Sequence, residues 1–488
     1  MKNFILPLLC ALTACSPIIE RKIASTPQKD LLRLSEEILG TVSSEQFDSR
    51  SCKRFLAELE VELDATDLQT LNRTELIASA GRIADNSWKI RTTLHQRLEH
   101  FDRDCVYQIQ STFRQLRFIE DYLQELSLEV KHLTPKDIKF SEQPVPMKSQ
   151  TDYYINRFTE GNELKLEDGD VLVTRGVSFL SGMIARLGSR ATQFSHIVFV
   201  HKDPETQKLK TIESYVGVGV QFYDLDFALK NENARILWLR SKDKNLAMRA
   251  SALMSKLVKT RIQQKNPIKY DYALDFNDSS TMSCAEVSQV AFQLASQGSF
   301  QIPYYPNEIN GADSLVQRLN IAKGATYEPG DMEVDPRFKL MGEFQDLRLT
   351  RDSRQKDAVM SAVFNWMDQY QYELHDNMTS KMAGGIIHKA RRTFIWPLLR
   401  RAMKIDDFSK EIPANMLSTV TLVNELGAIL LAELNKQDLE FEQTHGIPMS
   451  APKMMEALEN FRQQDLEKWQ NKKSRKKAQF HSLFRAKQ

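Results

Sequence analysis

Cys284 stands in Asp278-Ser279-Ser280-Thr281-Met282-Ser283-Cys284-Ala285-Glu286, a cluster of helix-starting residues that leads into an amphipathic run. A thiol in the first turn of a helix faces the positive end of the macrodipole, which favours the thiolate. Such a thiol needs a neutral imidazole within about 3 Å to take its proton. His196 opens the strongly apolar run His196-Ile197-Val198-Phe199-Val200, a rigid strand on which to mount that base. Glu213 ends the next strand-like run, Lys210-Thr211-Ile212-Glu213-Ser214. Antiparallel pairing of the two runs would bring its carboxylate to the second ring nitrogen and fix the tautomer. Tyr270-Asp271-Tyr272 precedes the cysteine segment, and Tyr272 is a candidate auxiliary at the oxyanion. Taken singly, each residue has a plainer reading: a small buried cysteine, a hydrogen-bonded strand histidine, a strand-end glutamate.

The elements that must hold these groups differ along the chain. Val171-Leu172-Val173, Ile197 to Val200, Leu209 to Ile212, Val218 to Phe222 and Ile236 to Leu239 are short apolar runs bounded by Gly, Asp, Lys and Asn, and they predict strands. Helical spacing follows at Leu246 to Ile262 and Cys284 to Ala295. The fold class expected for residues 150–328 is therefore α+β, with an antiparallel sheet plus helices. Upstream, residues 28–134 repeat apolar positions every three or four residues, as in Leu31, Leu34 and Ile38, and predict a helical bundle. Pro135, Pro144 and Pro146 mark residues 135–149 as a linker. After Pro329-Gly330 a helical region is expected over 331–488. Its most apolar run, Met416 to Leu434, contains Asn424, Glu425 and Glu433 and reads as a buried bundle helix. Its basic tail (Lys472, Lys473, Arg475, Lys476, Lys477) reads as a solvated, frayed end, or as a contact for anionic headgroups or wall polymers.

The order of these pieces resembles a known family. The segments GDVLV (Gly169 to Val173), FSHIVFV (Phe194 to Val200), TIES (Thr211 to Ser214), GVQFYDL (Gly219 to Leu225), YDY (Tyr270 to Tyr272) and SCAEV (Ser283 to Val287) are similar to the permuted papain-like amidases of the YaeF/YiiX type, within the NlpC-like superfamily. In that family histidine comes first, on a strand, and cysteine last, on a helix; here the order is His196, Glu213, Cys284. The resemblance stops near Asn307 and leaves both helical flanks unmatched. It departs from the family at Ser283, where a tyrosine is common. It implies a circularly permuted papain-like fold and a cysteine hydrolase acting on an amide or ester bond, in a cell-wall peptide or a lipid. Two other readings stay open: an inactive ligand-binding module of the same fold, and an envelope scaffold in which the flanks matter most.

The N-terminus points to the compartment. Met1-Lys2-Asn3 is a short positive start, and the apolar stretch Phe4 to Ala14 is shorter than the about 20 residues a spanning helix needs. Leu12-Thr13-Ala14-Cys15 resembles a bacterial lipobox, so residues 1–15 are read as a lipoprotein signal with Cys15 lipidated. Ser16 after it suggests the outer membrane, facing the periplasm. In that oxidising compartment Cys52 and Cys105 are a candidate disulfide, which leaves Cys284 as a free thiol. Lys plus Arg number 66 against 64 Asp plus Glu, so no net charge favours nucleic acid. No HExxH, CxxC or phosphate-cradling glycine loop is present, and neither metal nor cofactor is expected. Oligomeric state is not legible.

Overall fold

A computed structural model describes residues 31–65, 72–127, 154–161, 163–230, 233–276, 278–309, 313–377, 381 and 412–486. Cys15 with its lipobox and the 135–149 linker lie outside these residues. The order begins with four helices: α1 (Leu31–Ser43), α2 (Ser49–Ala65), α3 (Arg73–Gln96) and α4 (Arg103–Ser127). Then come β1 (Tyr154–Phe158), β2 (Val171–Gly176), α5 (Phe179–Ile184), β3 (His196–Lys202), β4 (Leu209–Tyr215), β5 (Gly219–Asp224), α6 (Leu225–Lys230), β6 (Asn233–Ser241), α7 (Lys244–Gln263) and α8 (Cys284–Ser296). After β7 (Asn307–Ile309), α9 (Asp313–Leu319) and β8 (Gly324–Thr326), the chain forms β9 (Phe338–Asp346) and α10 (Thr350–Tyr370). It continues through β10 (Tyr372–Leu374), α11 (Ala414–His445), α12 (Ala451–Gln470), α13 (Gln479–Leu483) and β11 (Phe484–Ala486).

The first four helices form as their periodicity requires. Leu31, Leu34, Ile38 and Val42 of α1 are buried on one face. Asn72 caps α3 by accepting from the N–H of Thr74 at 3.0 Å. Cys52 of α2 and Cys105 of α4 are joined by a disulfide, with their Cα atoms 5.7 Å apart.

The centre is α+β. Among the described residues its main sheet has seven antiparallel strands, in the order β1-β9-β6-β2-β3-β4-β5. Side chains alternate across it as the period of two demands. Val171, Val173, Ile197, Phe199, Leu237 and Leu239 pack toward α7 and α8. Leu172, Val198, Val200, Ile236 and Trp238 face the opposite way, onto Ala228 and Leu229 of α6. Two strands were not anticipated from the sequence, β1 and β9, and β9 lies beyond the expected boundary at residue 328. Its residues Glu343, Gln345 and Asp346 are buried, so the strand lacks the apolar alternation that marks the others.

Those polar residues serve the junction with the bundle. Glu343 is held in ion pairs by Arg91 of α3, Arg117 of α4 and Arg235 of β6. Arg91 also pairs with Glu120 at 3.1 Å, and Arg235 with Asp121 at 2.6 Å. The surrounding guanidinium groups hold Glu343 ionised, well below the usual carboxylate range, against the cost of burial.

The C-terminal region is helical in part, but it closes on a small two-stranded ladder, β10 with β11. The basic cluster is exposed, as expected, but the end it belongs to is not frayed. Phe480 and Phe484, just beyond the basic cluster, are fully buried against Trp366 and Tyr372, and Arg475 folds back onto the Trp469 carbonyl at 2.8 Å. Helix α11 is long and apolar enough to cross a membrane, and half of its most apolar window is buried within the protein. Leu422, Leu426 and Leu430 enter a core with Val359 and Val363 of α10 and Met454 of α12. Gly427 brings α11 against the Phe179 ring; a Cβ there would sit 2.7 Å from it.

Candidate active site

The site is assembled where the start of β3 meets the start of α8. Cys284 is the first residue of α8, after Ser283 at the N-cap position. Glu286 turns back to accept the Ser283 N–H at 2.6 Å, fixing the helix start. Burial, with the nearby charges of Asp271 and Asp275, pushes the Glu286 carboxyl up to about 8. Cys284 is buried at 7% exposure and is the free cysteine among the described residues.

His196 is the first residue of β3. Its Nε2 lies 2.8 Å from Glu213 Oε2, so the carboxylate orients the ring and leaves Nδ1 as the nitrogen for the thiol. Burial disfavours the imidazolium, but hydrogen bonding and charge from Cys284 and then Glu213 outweigh it, raising His196 to about 10. Cys284 Sγ also lies 3.9 Å from the carbonyl oxygen of Ser195, the residue before the histidine. The arrangement brings Cys284, His196 and Glu213 together.

Glu213 is itself held, by groups not singled out from the sequence. Thr211, Glu213 and Tyr215 alternate along β4 and share one face. The Thr211 hydroxyl donates to Glu213 Oε1 at 2.5 Å, and the Tyr215 hydroxyl donates to Oε2 at 2.7 Å. The Tyr215 ring also stacks on His196, with centroids 4.7 Å apart. The period-two spacing around Glu213 was the signal that marks both residues.

The loop before α8 is fastened to the sheet. Ser214 Oγ donates to the Met282 carbonyl at 2.6 Å, and Met282 N–H donates to the Lys269 carbonyl at 2.9 Å. Val220 N–H donates to the Ile268 carbonyl at 3.0 Å. Gly219, at φ +80°, permits this approach, since a Cβ there would lie 2.2 Å from the Ile268 oxygen. The segment so placed carries Tyr270 and Tyr272 to the wall of the pocket beside Cys284. Burial, then the charge of Cys284, pushes the Tyr270 phenol up.

That pocket is partly open to solvent, with a cavity of about 60 Å³. Cys284 and Ser283 form part of its lining, while much of the rest is hydrocarbon, including Met183, Leu187, Val216, Leu319, Ile321 and Met416. The last three come from the region after residue 307, where the family resemblance ends. Met416 belongs to α11, so the C-terminal helices help enclose the space next to the thiol. No group of three or more metal-ligating side chains occurs among the described residues.

Compared with protein-family models, with curated proteins and with solved structures, the chain matches none.

Proposed function

We propose that this protein is a cysteine hydrolase of the permuted papain-like type, carried by an envelope lipoprotein anchored through Cys15. The observation that carries the reading is the contact of His196 with Glu213 at 2.8 Å, with Cys284 acting on the same imidazole. His196 takes the Cys284 proton, and the thiolate attacks the carbonyl carbon of an amide or ester. The oxyanion that forms is stabilised by backbone N–H groups at the start of α8, with Tyr272 beside it. His196 returns the proton to the leaving amine or alcohol, and a thioester remains on Cys284. Water, deprotonated by His196, then attacks the thioester and releases the acid and the free thiol. Glu213 acts through His196 as a positioning residue, as does Tyr215 behind it.

The test compares the wild type with Cys284→Ala on purified peptidoglycan and on envelope lipid extracts, with products read by mass spectrometry. A product that needs Cys284 is the expected result. Unchanged mixtures from both, together with ordinary thiol reactivity toward iodoacetamide, would instead favour a binding module of the same fold. Anchoring is tested separately: Cys15→Ala should leave the chain unacylated, and a wild-type chain recovered from membranes with an intact N-terminus would refute the anchor.

A further inference from the structure

Where α12 ends, the basic cluster is built as a fixed knuckle, and its charge finds no counter-charge inside the protein. Six of the ten residues from Lys468 to Lys477 are Lys or Arg, and none is Asp or Glu. All six are exposed, and among the described residues none is engaged by a carboxylate. The backbone that carries them is nonetheless tied down. Lys473 N–H donates to Asn471 Oδ1 at 3.0 Å, Arg475 N–H to the Asn471 carbonyl at 2.9 Å and Lys477 N–H to the Ser474 carbonyl at 2.8 Å. The Ser474 hydroxyl closes the turn onto the Lys468 carbonyl at 3.1 Å. Just beyond it, Asp465 clasps His481, whose backbone N–H and Nδ1 each lie 2.8 Å from Oδ2, and Phe480 is fully buried. Cations gathered this closely repel one another, whereas a loose tail would let them spread. Trp469 completes the knuckle: the guanidinium groups of Arg475 and Arg485 lie 4.9 Å and 4.8 Å from its ring.

We propose that this knuckle is a membrane-docking surface, which seats the protein on the anionic headgroups of a bilayer and sets which face meets the membrane. Charge complementarity carries the proposal. Of the 66 Lys plus Arg, 60 lie outside the knuckle, against 64 Asp plus Glu. The remainder of the chain is therefore net negative, and an anionic leaflet repels it while drawing the knuckle in. The potential of such a leaflet fades within about 8 Å at physiological salt, so cations held on one turn feel it together. Trp469 suits the same depth, since an indole settles at the level of the headgroups and its two guanidinium neighbours match phosphate oxygens. Those neighbours also occupy the ring, which is then no platform for a nucleic-acid base. That a membrane is at hand rests on the envelope reading above; docking itself needs neither the lipid at Cys15 nor the thiol chemistry. A lipid at Cys15 would keep the chain near the bilayer without choosing its orientation, and the knuckle chooses it.

The experiment uses the unlipidated chain from Ser16 to Gln488, which keeps every described residue, sedimented with vesicles at about 0.15 M ionic strength. Vesicles of phosphatidylcholine with about one third phosphatidylglycerol should bind it, and pure phosphatidylcholine should bind it at least about tenfold more weakly. Each cation at such a surface is worth about fivefold in affinity. Lys476→Gln with Lys477→Gln should therefore weaken binding about 25-fold, and Lys472→Gln with Lys473→Gln should do the same. Lys256→Gln with Lys265→Gln removes equal charge from exposed sites on α7 and just after it, and should change binding less than about twofold. The replaced side chains are exposed, an unchanged Tm reports that each variant is folded, and two pairs guard against one failing. Raising the ionic strength to about 1 M should release the wild type. No binding to the anionic vesicles, equal binding to the neutral ones, or an equal loss in the α7 variant would overturn the proposal. Release from the vesicles by a single-stranded oligonucleotide at equal phosphate concentration would also overturn it, and would make the knuckle a nucleic-acid site. Absence of acylation at Cys15 would leave all these results as they are, so failure of the anchor and failure of the docking surface are told apart.

Discussion

Replacing Glu213 by Gln removes one negative charge from the site while keeping its size. In the wild type the imidazole of His196 moves from 6.5 to about 10, against a burial that opposes its charge. At about 1.4 kcal/mol per pH unit, that is a net preference for the imidazolium of roughly 5 kcal/mol. Cys284 and Glu213 supply it together. A glutamine keeps one acceptor, yet His196, Thr211 and Tyr215 all donate to the carboxylate. At least one donor therefore loses its partner, and the attraction of full charge is gone. Assigning roughly half of the net preference to Glu213 moves the imidazolium limit down by about two units, to about pH 8. The assay is the rate of Cys284 alkylation by iodoacetamide across pH 5 to 11. The wild type should show an inflection close to pH 10, where His196 loses its proton. In Glu213→Gln that inflection should fall by about two units, with the thiol still reactive. An identical inflection in both proteins, or none near pH 10 in the wild type, would refute the argued coupling.

His196→Ala should slow the same alkylation at pH 7 by at least tenfold, because the imidazolium partner is lost; an unchanged rate would remove His196 from the site. Glu343→Gln should destabilise the fold by about 3–5 kcal/mol in a urea titration, since Arg91, Arg117 and Arg235 would face one another without their shared carboxylate. Reducing the Cys52–Cys105 bond, which spans 53 residues, should lower stability by about 4 kcal/mol at equilibrium; thiol counting should find one reactive thiol in a chain that starts after Cys15, and three would deny the bridge. Glu286 holds its proton up to about 8 when folded, against 4.5 unfolded, so stability from this group falls as pH rises through that window. Glu286→Gln should flatten the decline in Tm between pH 5 and pH 8, and an unaltered slope would count against it.

Much of the site was legible because its residues sit where sequence patterns are strongest. Cys284 follows a run of helix-starting residues, and His196 opens an apolar strand. Glu213 lies on a strand whose pairing partner is the next run along. The strand β9 was not legible, because buried charge disguised it. Glu343 is opposed by arginines from α3, α4 and β6, and nothing local in the sequence announces partners 108 and 252 residues away. Tyr215 escaped notice because a tyrosine at a strand end is usually only packing. The role of the C-terminal helices was hidden for the same reason that the pocket is: Met416 joins Cys284 in the pocket lining through space alone.

The insertion of β9 has a practical outcome for anyone dissecting the chain. β1 pairs only with β9, while β9 bridges to β6. A fragment cut at residue 328 therefore loses two strands rather than one, and the flank of β6 becomes an open row of backbone donors and acceptors. Such a flank, fed by Ile236, Leu237, Trp238 and Leu239, is a template for intermolecular pairing. A catalytic fragment made that way should precipitate, whereas one carried through Asp346 retains its seam and, with Arg91 and Arg117 supplied by the bundle, the counter-charges that Glu343 requires.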